Sequence, residues 1–249
     1  MSGSVTSGID LASVDRVLKS TRSVRLRLDL ERPVPQEIVE ECIEIALQAP
    51  TGANSQTWRF VVVTDAAKRE RLAELYRAGA ELYMQGKTGL SRTGVTATTT
   101  YAAGDPRAAQ MPGVIRSAGH LMENLGRVPV HVIPCIEGRF ETDDVFTQSS
   151  MYGSILPAAW SFMLALRARG LASAWTTLHL LHEREAAELL GIPPSVTQAL
   201  LMPVAWLAGG DLKPAPRLPA RSFTYWNAWG APRLAGARDP EDASREAPP

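Results

Sequence analysis

The chain has 249 residues, 45% of them apolar and 21% charged, and its 26 Lys+Arg balance 26 Asp+Glu to a formal net charge of zero. That balance removes the usual electrostatic reason to expect a nucleic-acid or polybasic membrane binder, and a chain this long buries roughly 70–75% of its unfolded surface without a metal or disulfide. Cys42 and Cys135 have no paired spacing, no apolar run approaches the length of a spanning helix, and Met1 to Asp10 lacks a secretory layout, so a soluble, cytoplasmic protein is expected.

Residues 1–9 and 232–249 read as flexible tails, the second too rich in proline and charge to offset its ordering entropy. One domain over 10–231 is expected between them. Asp10 suits the N-cap of a first helix with Leu11, Val14 and Leu18 at helical spacing. A second helix follows Pro33 and Pro35. Its apolar face is Ile38, Val39, Cys42, Ile43, Ala46 and Leu47, and Ala49-Pro50 stops it. A strand over 59–64 precedes a helix over 66–84 with Leu72, Leu75, Leu82 and Tyr83 inward. Residues 85–113, broken by glycines and prolines and threonine-rich at 96–100, are expected to form a lid. A helix over 114–126 leads to a strand over 130–136. The segment 148–169 is apolar nearly all round, which predicts a helix buried in the protein or between two chains. A strand over 171–177, a helix over 182–190 ending at Gly191, and a strand over 199–208 complete the pattern. Pro203 predicts an edge position or a bulge for that last strand. Helices and strands mix without regular alternation, which predicts an α+β layer fold.

The chain has no G-x-G-x-x-G, no phosphate-binding P-loop and no G-x-S-x-G. His179 and His182 stand beside Glu183 and Glu185, but two histidines are weak ligand evidence and no metal is expected. His120 and His131 read as hydrogen-bonded structural residues. Four segments carry chemistry. Thr21-Arg22-Ser23-Val24-Arg25 offers two guanidinium groups and a hydroxyl within five residues, suited to a phosphate and sugar hydroxyls. Ala49-Pro50-Thr51-Gly52-Ala53-Asn54-Ser55-Gln56-Thr57-Trp58 is a turn of small residues that lets backbone approach a flat ligand, with two side-chain amides. Gly170-Leu171-Ala172-Ser173-Ala174-Trp175-Thr176-Thr177 turns the long helix into a strand, and Pro216-Arg217-Leu218-Pro219 sets an arginine between prolines.

In this order the four segments resemble the nitroreductase family of flavoproteins, over about residues 10–230, with 49–58 the most specific part. The resemblance implies an α+β sandwich, a central mostly antiparallel sheet flanked by helices, that forms an intertwined homodimer with one FMN at each end of its interface. It implies that Arg22, Ser23, Arg25 and Arg217 hold the FMN phosphate and ribityl chain; the first position of that box, commonly basic in the family, is Thr21 here. By the same resemblance Pro50, Thr51, Gly52 and Asn54 reach the flavin, generally from the other subunit. Thr176, Thr177 and Leu178 fall near the flavin N5 atom. NADPH or NADH serves as a passing electron donor in a two-step exchange at one site, which needs no Rossmann motif. Nitroaromatics, quinones or similar electron-poor small molecules then take the electrons, with the chemistry carried by FMN. Two other readings stand beside this one. The first is a reductive dehalogenase resembling iodotyrosine deiodinase, whose Glu-x-x-x-Tyr lid pair is not reproduced, since Gly79 stands four residues before Tyr83. The second is a flavin-binding protein without turnover.

Overall fold

The computed structural model describes residues 8–93, 101 and 104–231; the tail 232–249 and the centre of the expected lid (94–100, 102–103) lie outside the described residues, as do 1–7. Two units are present, one running to Pro214 and one from Ala215. In the first, the elements in chain order are α1 (Leu11–Ser20), α2 (Gln36–Ala46), β1 (Trp58–Val63), α3 (Ala66–Met84), α4 (Met111–Asn124), β2 (Val130–Glu137), α5 (Val145–Ala168), β3 (Leu171–Ser173), α6 (Glu183–Leu190), β4 (Val196–Gln198) and β5 (Met202–Trp206).

Local chemistry explains most boundaries. The carboxylates of Asp10, Asp65 and Asp144 accept from the backbone N–H of Ala12, Lys68 and Thr147, capping α1, α3 and α5. Gly191 ends α6 at φ 69°, a left-handed cap that suits glycine. The strands form one sheet in the order β1-β2-β5-β3, with β4 also on β2, and every ladder is antiparallel. Period-two alternation along β2 feeds both faces. Val130, Val132 and Ile136 pack with Val39 and Cys42 of α2 and Ile155, Phe162 and Leu166 of α5. Ile133 and Cys135 pack with Leu72 and Tyr76 of α3, Leu121 of α4 and Ala186 of α6. This is the expected α+β sandwich.

Three details differ from the sequence expectations. The strand expected over 171–177 stops at Ser173, and Thr176 then makes only an isolated bridge to Leu201. β4 was not foreseen. Pro203 sits in an interior strand, between β2 and β3 in the sheet order, and not at an edge. The ladder explains the tolerance: β3 pairs only with Val204–Trp206, so Pro203 lies just beyond its reach. Pro134 in β2 is accommodated similarly, where that strand's partner changes from β5 (opposite 130–132) to β4 (opposite 135–137).

The second unit carries a short 3-10 turn, Ala220–Ser222. The rings of Tyr225 and Trp229 pack with centroids 5.0 Å apart, tilted by 53°, and Trp229 is 91% exposed.

Candidate functional site

The Arg22 segment begins where α1 ends. The Thr21 hydroxyl donates to the Val17 carbonyl at 2.7 Å and its backbone N–H bonds the same oxygen at 3.0 Å, so Thr21 closes the helix and its hydroxyl proton is committed there. The chain then attaches to the end of β3: Val24 N–H donates to the Ser173 carbonyl at 2.8 Å, and Trp175 N–H donates to the Ser23 hydroxyl at 3.0 Å. Two segments that lie 150 residues apart thus form one surface. Arg22 and Arg25 stand on it half-buried, and neither makes a hydrogen bond or ion pair among the described residues. Burial lowers the Arg25 pKa, opposed by the neighbouring Tyr76 phenol. A guanidinium partly removed from water without an anion is costly, so this pair is chemically suited to a phosphate or another anionic group.

The N5-side candidates divide. Thr176 is buried, and both its hydroxyl and its N–H donate to the Leu201 carbonyl, at 2.8 and 3.1 Å. Thr177 is exposed, and its hydroxyl makes no hydrogen bond among the described residues. Of the two hydroxyls, only that of Thr177 is free for a ligand. Leu178 is wedged against α3, where a Cβ on Gly79 would fall 2.1 Å from the Leu178 carbonyl oxygen. No larger residue fits at 79, which gives a steric reason for the glycine four residues before Tyr83.

The segment 50–57 adopts a 3-10 turn over Gly52–Asn54 and places Ala53, Asn54 and Gln56 at φ 51°, 53° and 52°. Three non-glycine residues in the left-handed region within four positions store strain of about 1–3 kcal/mol each. The Gln56 amide donates to Asn54 Oδ1 at 3.3 Å, and both side chains are exposed. This turn is fastened to α5 at Ser154, through a 2.9 Å bond from Gly52 N–H. The Arg22 surface meets α5 at its other end, where Arg167 Nε donates to the Ser20 hydroxyl at 3.1 Å. Thirteen residues of helix separate Ser154 from Arg167, about 20 Å at 1.5 Å per residue. Within one chain the two halves of the candidate site therefore stand a helix length apart.

Arg167 also pairs with Asp211, whose second carboxylate oxygen takes Arg16 at 2.5 Å, and Arg27 donates to the carbonyls of Ala208, Gly210 and Asp211. Sequence reasoning missed this network and Ser154, because arginine–carboxylate pairs far apart in the chain and a lone serine in an apolar helix carry no local signal. A cavity of about 10 Å³, room for one water, is lined by Thr21, Arg22, Arg167 and Ser173, and the buried Ser173 hydroxyl has no partner. A larger groove of about 200 Å³ lies between the start of α2 and β1 and includes none of the candidate site residues. Arg217 belongs to the second unit, where its Nη1 donates to the Pro216 carbonyl at 3.2 Å. His131 is a structural residue as expected, its Nε2 2.8 Å from the Leu125 carbonyl. His179 is fully buried and His182 sits beside Glu185. Among the described residues no group of three or more His, Cys, Asp and Glu side chains could hold a metal ion, and no helix is long and apolar enough to cross a membrane.

An antiparallel sheet between two helical layers, with an arginine–serine–arginine box stitched to the exit of β3 and a strained N-x-Q turn before β1, defines a nitroreductase-like α+β protein. The sequence profile of the Nitroreductase family matches residues 18–206, and the chain belongs to that family. The nitroreductase NfnB of Mycolicibacterium smegmatis is 31% identical over 173 residues, 66% of this chain and 71% of the relative. Iodotyrosine deiodinase of Danio rerio is 35% identical over 57 residues, 23% of this chain and 19% of the relative, so the match spans about a fifth of that protein's length. Among solved structures, the FMN-dependent nitroreductase NfnB from Mycobacterium smegmatis in complex with NADPH shares the fold at a TM-score of 0.60 and 22% identity, covering 88% of this chain and 100% of that one.

Proposed function

We propose that the chain is an FMN-dependent oxidoreductase that takes electrons from NADPH or NADH and delivers them, in two steps at one site, to a nitroaromatic, quinone or similar electron-poor small molecule. The observation that carries the reading is the pair of half-buried guanidinium groups, Arg22 and Arg25, without a partner among the described residues and standing beside a serine already fixed by Trp175 N–H. That donor set fits the phosphate and ribityl chain of FMN. When bound, FMN supplies the ring that accepts and returns a hydride. Arg22 binds the phosphate dianion by charge-assisted hydrogen bonds, Arg25 adds positive charge from a partly desolvated position where it acts strongly, and the Ser23 hydroxyl proton is free to donate. The exposed Thr177 hydroxyl, which makes no hydrogen bond among the described residues, would be a donor to the flavin ring. Thr51, Gly52 and Asn54 would offer backbone groups and one amide to the ring.

The same reading includes a two-fold homodimer with each site built from both chains. The roughly 20 Å along α5 between the Arg22 surface and the Gly52 turn supports it, because two α5 helices related by a two-fold axis bring one chain's turn toward the other chain's arginines. Exposed Leu11, Val14 and Leu18 on α1 and Trp160 on α5 supply apolar surface for such an interface.

The test is optical. The full-length protein is reconstituted with FMN, and its absorption is followed without air on adding NADPH or NADH and then an oxidant such as a quinone. Flavin colour that bleaches with one nicotinamide and returns with the oxidant supports the reading. A protein that takes up no FMN overturns it, and one that binds FMN but is never reduced is the non-turnover flavoprotein. Iodide release from iodotyrosine under the same conditions would favour the dehalogenase, against which stands the steric exclusion of a glutamate at 79.

A further inference from the structure

Ser154 lies inside α5 with 2% of its surface exposed, yet it is tied to the strained turn and to the strand that follows it. Its hydroxyl accepts from Gly52 N–H at 2.9 Å and donates to the Ser150 carbonyl one turn earlier at 2.7 Å, which fixes the direction of its lone pairs. Its carbonyl accepts from the Trp58 indole N–H at 3.0 Å. The remaining hydrogen bonds of residues 50–56 are internal: Asn54 N–H to the Thr51 carbonyl, Ser55 N–H to the Gly52 carbonyl, Gln56 N–H to the Thr51 hydroxyl and the Gln56 amide to Asn54. Among the described residues, the Gly52–Ser154 bond is therefore the one hydrogen bond that holds this turn to the rest of the fold. A turn with three left-handed non-glycine residues persists only where its surroundings over-determine it.

We infer that Ser154 is a positioning residue for flavin binding: acting through Gly52, it holds the 50–56 turn at a set place so that Thr51, Gly52 and Asn54 meet the ring already ordered. The inference rests on the flavin reading above. Ser154 itself touches no ligand. Removing its hydroxyl leaves Gly52 N–H without its acceptor and lets the turn relax, and FMN binding must then re-order it.

The experiment uses the full-length chain and two readouts, the FMN dissociation constant from fluorescence quenching and amide hydrogen exchange of residues 50–56 in the flavin-free protein. In the parent, the Gly52 amide is protected and the unbonded Ala53 amide is not. Ser154→Ala speeds Gly52 exchange about tenfold and weakens FMN about fivefold. Ser154→Thr, which keeps the acceptor oxygen, recovers both. Ser150→Ala, which removes a neighbouring hydroxyl with no bond to the turn, stays at parent values. An unprotected Gly52 amide in the parent overturns the inference without any variant, which keeps it open to test should Ser154→Ala fail to fold. Parent-like exchange and affinity in Ser154→Ala overturn it as well, and so does an equal loss in Ser150→Ala. A parent that binds no FMN overturns the flavin reading, while the exchange data still decide whether Ser154 holds the turn.

Discussion

Arg25 is half-buried and His179 fully buried, both without partners among the described residues, with opposite consequences. Arg25 must stay charged, so its exposure to an incoming anion gives it a role. Each charge-assisted contact to a phosphate stabilises by roughly 1.5–3 kcal/mol, and Arg25→Ala should weaken FMN binding about tenfold while the protein stays folded. Fluorescence titration checks this, and unchanged affinity removes Arg25 from the site. His179 instead escapes the cost by staying neutral. Neither of its ring nitrogens, nor Nδ1 of His131, has a partner, and burial lowers the two pKa values to about 3 and about 4. The unfolded chain takes up these protons below about pH 6.5 and the folded chain does not, so stability falls as pH drops from about 6.5 toward 4. His179→Phe should flatten that slope. Denaturant midpoints at pH 7 and pH 5 that fall equally in parent and variant would count against it.

Between residues and the whole stand the ties that fix one element to another. Asp211 receives its own neighbour's N–H, at Leu212, together with Arg16 of α1 and Arg167 of α5, and these donors lower its pKa to about 2. The stabilisation from a depressed carboxylate is complete above the unfolded value near 4 and is lost as pH falls through about 2. Asp211→Asn should therefore lower the melting temperature at pH 7 and shrink the further loss between pH 4 and pH 2; a variant with the parent's full acid sensitivity would exclude this carboxylate as the cause. Caps and breakers such as Asp10, Gly191 and Pro50 were legible in the sequence because each acts on residues within a turn of itself. The placement of Pro203 was not. Whether proline is tolerated depends on where the neighbouring strand stops, and β3 is set by a different part of the chain.

At the scale of the whole molecule, the apolar helix over 145–168 is largely covered by its own chain: Ile155, Ala158, Ala159, Phe162 and Leu166 are sealed in the core, while Phe146 and Trp160 stay exposed. The apolar surface left over is spread over Leu11, Val14 and Leu18 of α1, Val145, Phe146 and Trp160 of α5, and the aromatic run Phe223 to Trp229. Burying it in a second chain is the expected outcome for patches beyond a few hundred Å². A chain ending at Ser222 should sediment as monomer or aggregate and release FMN with it. A full-length protein that sediments as an active, flavin-loaded monomer at micromolar concentration would reject the shared site.

The residues themselves determined the order of most helices and strands, the layer class and the family, because hydrophobic period, end-caps and the 21–25 and 49–58 segments are properties of short stretches of chain. The tertiary structure alone decided how those stretches are used. It bonded Ser23 to Trp175, withdrew the hydroxyls of Thr21 and Thr176 into the fold while leaving that of Thr177 free, and excluded any side chain at Gly79. It also hung the strained turn on Ser154. Each of these depends on a partner that packing brings from 25 to more than 150 residues away or, for Thr21, on the one hydrogen bond a side chain chooses among several within reach. No local pattern encodes that choice.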